Sequence, residues 1–249
     1  MTGVSYKAAY ETFMFDAFIE GREEVEDIEV RKTIDFDAVA DFVKLDTNKV
    51  YDDPMMALAS ETVHSRGMAD FEFYVCLEGF YKHRLIIPYK DSNNKLFFFQ
   101  GRSLDGWEPK YLNCKSIKSS WVLYPFDYES NAPLFITEGA FDCMALRGLG
   151  LNATSTVSCQ TSNEQMKQLR HYSGRLVVAF DRDEAGIHGL KQFVKMANKY
   201  KRSDCSYIFP KEGFKDWNEL ILSCGEDEAL FYLHDRKELD RTSVELIEL

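Results

Sequence analysis

Leu134-Phe135-Ile136-Thr137-Glu138-Gly139-Ala140-Phe141-Asp142 opens a stretch that closes with Arg175-Leu176-Val177-Val178-Ala179-Phe180-Asp181-Arg182-Asp183-Glu184-Ala185-Gly186. Each half is a short apolar run that ends in carboxylates and passes into helical spacing, the signature of a βα unit in a parallel sheet. Ligands of such sheets bind outside the carboxyl ends of the strands, so two acidic groups are expected at one sheet edge. Asp181 and Asp183 are two apart, and on extended chain both side chains point the same way. Gly139 is expected to let the chain turn sharply after Glu138. Asp142 falls in the first helical turn, where negative charge is favoured. Taken singly, Asp142 reads more readily as a helix N-terminal residue, and Asp181 and Asp183 as solvated turn residues. Converging carboxylates, however, repel one another, and a hard divalent cation with oxygen ligands, most often Mg²⁺, relieves that repulsion.

Glu-Gly-x-x-Asp after one strand and Asp-x-Asp-x-Ala-Gly after another resemble the Toprim domain, over roughly residues 131–213. That domain is shared by bacterial-type (DnaG-like) primases, type IA and type II topoisomerases, some nucleases and recombination proteins. The resemblance implies an α/β fold whose Toprim-type parallel sheet is flanked by helices. It does not choose among the reactions.

The flanks bear on that choice. The whole chain is acidic, with a net charge of −11, yet the sign is unevenly distributed. Between Tyr81 and Lys118 eight basic residues (Lys82, Arg84, Lys90, Lys95, Arg102, Lys110, Lys115 and Lys118) face only Asp91, Asp105 and Glu108. Tyr81, Tyr89, Phe97, Phe98, Phe99, Trp107, Tyr111 and Trp121 are interleaved with them. Cations for phosphates and rings for bases suit single-stranded nucleic acid. A half-buried sheet with one solvated face accounts for the same composition. The segment reads as the strand Arg84–Tyr89, the polar turn Asp91–Asn94, the strand Lys95–Gln100 ended by Gly101-Arg102, and then Pro109-Lys110-Tyr111-Leu112-Asn113. Upstream, Asp53-Pro54 starts a helix through Met55 to Ser65 that stops at Gly67. Glu20–Glu29 is an acidic run, and Ile34–Leu45 has the spacing of an amphipathic helix from about Asp35 onward.

The order Arg, apolar run, Pro-x-x-Asp, turn, Gly-Arg and Pro-Lys-Tyr-Leu-Asn, preceded by Ser65-Arg66-Gly67, resembles the N-terminal half of the primase polymerase core. With the Toprim match it covers roughly residues 55–225. The resemblance implies template-directed RNA primer synthesis. In that reading Arg84, Arg102, Lys110, Tyr111 and Asn113 hold the single-stranded DNA template and ribonucleoside triphosphates. Glu138, Asp181 and Asp183, with Asp142 and Asp216 nearby, hold one or two Mg²⁺ or Mn²⁺ ions. A role for Glu138 as general base also stays open. Asp216 matches the Lys-Asp-x-Asn/Asp-Glu element of the family and reads equally as a helix N-cap. Asn218 stands where many bacterial members have Asp, as it does in phage and mitochondrial primase–helicase relatives.

After the centre, Thr161-Ser162 is expected to cap a helix from Asn163. Gly186–Lys201 is expected as a helix, Tyr207–Phe209 as a last parallel strand and residues 226–249 as a short helical tail. The divisions expected are an acidic extension (1–50), a smaller mixed α+β basic subdomain (51–130), the Toprim domain (131–213) and a helical segment (214–249). Cys76, Cys114, Cys143, Cys159, Cys205 and Cys224 form no C-x-x-C pair, so no zinc is expected and the thiols read as reduced, as in a cytoplasmic protein, or in the host cytoplasm if the chain is phage-encoded. No phosphate loop, membrane span or signal-peptide pattern is present. Primases of the resembled family normally carry a zinc-binding module and are often fused to or docked on a helicase, so the resemblance implies as partners a replicative helicase, a separate zinc-binding template-recognition protein, or both. A metal-dependent nuclease on the same carboxylates and a non-catalytic nucleic-acid-binding subunit are the alternatives. Shortening of DNA, or binding without synthesis, would distinguish them.

Overall fold

The computed structural model describes residues 42–91, 94–115, 117–125 and 131–238. They fall into two units, one containing 72–117 with the segment up to Leu45, the other 46–71 with 118 onward. The acidic run Glu20–Glu29, Asp35–Asp41 and the end of the tail lie outside the described residues.

The first unit is built on a five-stranded antiparallel meander: β1 (Phe42–Lys44), β2 (Tyr74–Cys76), β3 (Arg84–Lys90), β4 (Leu96–Ser103) and β5 (Tyr111–Asn113), adjacent in that order. Arg84 to Tyr89 and Leu96 to Gly101 are buried without alternation, so the central strands are covered on both faces. Two expectations are corrected. Phe42–Lys44, read as the end of a helix, is a strand paired with β2. There the Phe42 ring meets Phe99 edge-on at 5.1 Å, and cross-strand packing outweighs the helical spacing of its apolar neighbours. β4 also runs past Gln100 to Ser103, because Gly101 and Arg102 keep their pairing with Ile86 and Leu85.

The second unit contains the parallel sheet. Its strands are β6 (Leu134–Thr137), β7 (Asn152–Ser155), β8 (Leu176–Val178), β9 (Cys205–Tyr207) and β10 (Lys237–Glu238), in the order β10-β9-β8-β6-β7. All neighbours are parallel except β10, which pairs antiparallel with β9. The helices are α1 (Pro54–Ser65), α2 (Ala140–Gly148), α3 (Asn163–Leu169), α4 (Glu184–Lys199), α5 (Trp217–Cys224) and α6 (Glu226–Leu233). Strand alternation sorts them onto two faces. Leu134, Ile136, Leu176 and Val178 pack with Met166 and Leu169 of α3 and Ile187, Leu190 and Phe193 of α4. Phe135 and Val177 pack on the other face with Cys143 and Leu146 of α2, Trp217 of α5 and Leu233 of α6. Each such buried aliphatic side chain contributes on the order of 2 kcal/mol.

Local chemistry sets the helix starts. Asp53 accepts the N–H groups of Met55 and Met56 ahead of Pro54, as its sequence implied. Ser162 and Gln165 close a reciprocal capping box. α4 starts two residues before the expected Gly186 because Asp183 caps it. The strand expected at Tyr207–Phe209 is centred two residues earlier, and the tail adds β10 after its helix. Trp217 is fully buried and its indole N–H donates to the carbonyl of Ala179 at 2.9 Å, tying α5 to the chain just beyond β8. Trp217→Phe keeps most of the packing and loses that bond. It should lower the unfolding free energy by about 1–2 kcal/mol in denaturant titration, and an unchanged midpoint would show that the bond does not hold α5.

Candidate active site

The topology creates a crevice before any acid is placed in it. β6 and β8 are neighbours, but β6 leads through α2 to β7 on one side and β8 through α4 to β9 on the other. Their connections diverge there, and ligands of open α/β sheets bind at that switch point. Glu138 follows β6, and Asp181 and Asp183 follow β8. Oε1 of Glu138 accepts the backbone N–H of Asp181 at 3.2 Å, so the two strand ends are joined directly. Asp183 accepts the N–H of Gly186 at 2.8 Å. Asp216 caps α5 in the same way, accepting from Glu219 at 2.8 Å.

Asp142, in the first turn of α2, is buried, and its Oδ1 accepts the backbone N–H of Asn218 at 3.2 Å. The Asn218 side chain turns the other way: Nδ2 donates to the carbonyl of Arg66 at 2.8 Å, and Oδ1 lies 3.5 Å from Nη1 of Arg66. Arg66 stands at the C-cap of α1 with its guanidinium 4.8 Å from the centre of the Phe141 ring. The sequence pattern marked Ser65-Arg66-Gly67 only as a helix end and missed this link, for which no local signal exists.

The role expected of Gly139 falls to another glycine. Gly139 adopts φ −108°, ψ 155°, a conformation open to any residue, so the sharp turn does not need it. A methyl group there would lie 3.5 Å from Oδ2 of Asp142, in ordinary contact. Gly186 is the constrained one. A Cβ at that position would fall 2.1 Å from the carbonyl of Asp181 and 2.9 Å from Oε1 of Glu138. Only glycine lets α4 begin directly against both acidic groups.

The electrostatics follow from this crowding. Burial raises the Glu138 pKa from 4.5 to about 7; the Asp181 N–H opposes the shift, and the charges of Asp183 and Asp142 add to it. Asp142 is raised from 3.8 to about 7 by burial, then by Asp181 and Asp216. Asp181 rises to about 7 by burial, then by Glu138, Asp216 and Asp183, with Lys215 opposing. The charges of Asp183 and Asp216 thus act on this trio as well. Burial, and then the charges of Glu138, Asp183 and Asp181, push the thiol of half-buried Cys159 up. Among the described residues no three Asp, Glu, His or Cys side chains form a ready-made metal-binding group. The donor chemistry nevertheless fits a hard divalent cation: all-oxygen, mutually repelling carboxylates, Asp142 buried and the others half-buried, with a glycine-sized cradle beside them.

Arg84, Arg102, Lys110, Tyr111 and Asn113 lie in the first unit. Arg84 is 6% exposed, and its Nη1 donates to the carbonyls of Gly101 and Pro109 at 3.1 and 2.9 Å. Gly101 makes room, since a Cβ there would come within 3.0 Å of Arg84 Cδ. Arg102 donates to the Tyr111 hydroxyl at 2.6 Å, with its guanidinium 5.5 Å from the centre of that ring, and Lys110 Nζ stands 5.8 Å from the same ring. Oδ1 of Asn113 accepts from Gln100, whose own Oε1 accepts from the buried Tyr89 hydroxyl. Arg102, Lys110 and Tyr111 are therefore brought together. Arg84 is tied into the backbone beneath Pro109.

A family model described as Toprim-like matches residues 135–221. The DNA primase of Thermotoga maritima is 30% identical over 155 residues, which cover 59% of this chain and 27% of that protein. The Escherichia coli primase catalytic core superposes with a TM-score of 0.63 at 18% identity, over 77% of this chain and 76% of that one. A DnaG primase catalytic domain bound to ssDNA superposes with a TM-score of 0.56 at 21% identity, over 75% and 61%. The chain thus carries a Toprim-like domain, the class that the divergent strands and their acids define. More particularly, it is similar in sequence to bacterial DNA primases and has the fold of the DnaG-type catalytic core. It spans about a quarter of the length of the curated relatives it matches.

The raised carboxylates carry a pH dependence with a definite sign. The folded chain holds protons on Glu138, Asp142 and Asp181 that the unfolded chain releases near 4.5 and 3.8. Their contribution to stability is complete below those values and is lost as pH rises through about 7. In chelator, the melting temperature should therefore fall between about pH 5 and pH 8, and Mg²⁺ or Mn²⁺ should restore it. Glu138→Gln should flatten the profile. A melting temperature that rises across that range for the wild type, with no metal effect, would refute the assignment.

Proposed function

We propose that this chain is the catalytic core of a DNA primase, which synthesises short RNA primers on single-stranded DNA by metal-dependent nucleotidyl transfer. The observation that carries the reading is the meeting of Glu138, Asp181 and Asp183 at the switch point of a Toprim-like sheet, with Asp142 and Asp216 within their field. The primase kinship of the chain and the ssDNA-bound relative support the choice of template.

In this reading Glu138, Asp181, Asp183, Asp142 and Asp216 hold one or two Mg²⁺ or Mn²⁺ ions. The chemistry supplied by such a bound cation is a lowered pKa for the attacking 3′ hydroxyl, orientation of the α-phosphate and neutralisation of leaving pyrophosphate. The chain's own part is to keep the carboxylates in place. Asp183 and Asp216 are oriented by the helix N–H groups they accept, and Glu138 by that of Asp181. Glu138, with its pKa near 7, is also matched to proton transfer at neutral pH. Arg102, Lys110, Tyr111 and Asn113 bind template and incoming ribonucleoside triphosphates. Arg84 serves them from beneath by holding the backbone at Gly101 and Pro109.

The division that goes with this function is an extension at 1–50, a basic subdomain at 51–130, the Toprim domain at 131–213 and a helical segment at 214–249. The partners proposed for start-site selection are a replicative helicase or a zinc-bearing template-recognition protein. A cytoplasmic setting accords with free thiols. No described helix is long and apolar enough to cross a membrane.

The test is incubation with single-stranded DNA, labelled ribonucleotides and Mg²⁺ or Mn²⁺. New template-dependent oligomers are expected, and Glu138→Gln, Asp181→Asn and Asp183→Asn should nearly abolish them while the variants stay folded. Shortened DNA without new oligomers would mean a nuclease. Arg102→Ala and Lys110→Ala should weaken template binding, and removing one cation from the phosphate backbone should flatten the salt dependence by roughly 0.7 in log–log slope. Arg84→Ala should instead lower stability along with binding. Salt-independent affinity would place the nucleic acid elsewhere.

A further inference from the structure

We infer that Asn218 and Arg66 form a latch that positions Asp142 and the start of α5 for divalent-cation binding. Neither residue belongs to the set assigned to the metal, and the inference rests on the reading of the acidic cluster as a cation site.

The geometry is a chain of directed contacts. The backbone N–H of Asn218 holds Oδ1 of Asp142, while Nδ2 of the same residue holds the carbonyl of Arg66. Arg66 returns with its guanidinium, which lies over Phe141, the neighbour of Asp142, and 3.5 Å from Oδ1 of Asn218. The end of α1 is thereby fixed to both helices that bear Asp142 and Asp216. Asn218 is 4% exposed, so water does not compete freely for these bonds. Position 67 shows how close the approach is: Gly67 adopts φ +65°, and a Cβ there would come within 3.2 Å of the Leu222 side chain of α5. An amide is the right group for position 218. One end donates to a carbonyl and the other can accept from a guanidinium, whereas a carboxylate could not donate to the carbonyl of Arg66. Asp216 sits two residues before Asn218 on the same helix start, so a movement of Asn218 displaces Asp216 together with Asp142.

Mn²⁺ binding, followed by electron paramagnetic resonance on the folded chain without nucleotides, tests this. Asn218→Ala keeps the backbone N–H to Asp142 and removes the side-chain link. It should weaken Mn²⁺ binding by up to about tenfold, because the group that holds Asp142 is itself no longer held in place. Amide exchange at Arg66, Gly67 and Met68 should quicken. Val63→Ala, a buried change in α1 with no part in the latch, supplies the stability control and should leave Mn²⁺ affinity as in the wild type. Arg66→Ala keeps the carbonyl but removes the guanidinium. It should weaken Mn²⁺ binding by a smaller factor, and it serves if Asn218→Ala does not fold. Wild-type Mn²⁺ affinity in folded Asn218→Ala, or an equal loss in Val63→Ala, would overturn the latch. If the wild type binds no Mn²⁺, the metal reading falls and the latch with it. Mn²⁺ binding without primer synthesis would overturn the primase reading alone.

Discussion

Negative charge crowded into a half-buried crevice is the constraint on which the second unit depends. Glu138, Asp142 and Asp181 all carry pKa values raised to about 7 by burial and by one another. Such a cluster persists only if the surrounding structure holds it firmly, because each carboxylate would gain by moving into water. The sheet order forces the two acidic strand ends to be neighbours. Backbone N–H groups then fix individual oxygens: that of Asp181 for Glu138, Gly186 for Asp183, Glu219 for Asp216 and Asn218 for Asp142. Three of these four donors lie in the first turn of a helix, where N–H groups lack intrahelical partners and the dipole favours an anion. Capping a helix and holding an acid in place are therefore one arrangement, and the reading of Asp216 as cap or ligand is not a choice between exclusives.

The first unit solves a different problem. Its central strands are buried on both faces, so its polar side chains are organised by bonds that cross strands. Arg84 reaches over Gly101 to two carbonyls, Gln100 links Tyr89 to Asn113, and Arg102 lies over Tyr111. Side chains fixed in this way lose less rotamer freedom when they take a ligand. That is a physical reason for a basic, aromatic surface to stand on a rigid sheet.

Local patterns in the chain were enough for the βα units at Leu134 and Leu176, the capped helices after Asp53 and Ser162, and the acids that end the central strands. Each follows from period, turn chemistry or capping, which act over a few residues. Short strands were the weak point. Phe42–Lys44, Tyr74–Cys76 and Lys237–Glu238 carry too few residues to show a period, and only their partners across the sheet make them strands. The burial of Arg84 was invisible for a similar reason. An arginine before an apolar run looks the same whether its guanidinium meets phosphate or the carbonyl of Pro109, twenty-five residues away.

The sequence by itself determined the chemistry available: two strand-ending groups of carboxylates, cysteines without zinc spacing, and a basic, aromatic segment on an acidic chain. Only the tertiary structure decided that β6 and β8 are adjacent with diverging connections, that Gly186 rather than Gly139 is the glycine that the crevice requires, and that Asn218 joins Asp142 to Arg66. The physical reason is range. Capping and periodicity are set by neighbours along the chain, whereas the approach of Asn218 to Arg66 spans 152 residues. It exists only once the sheet has placed α1, α2 and α5 together.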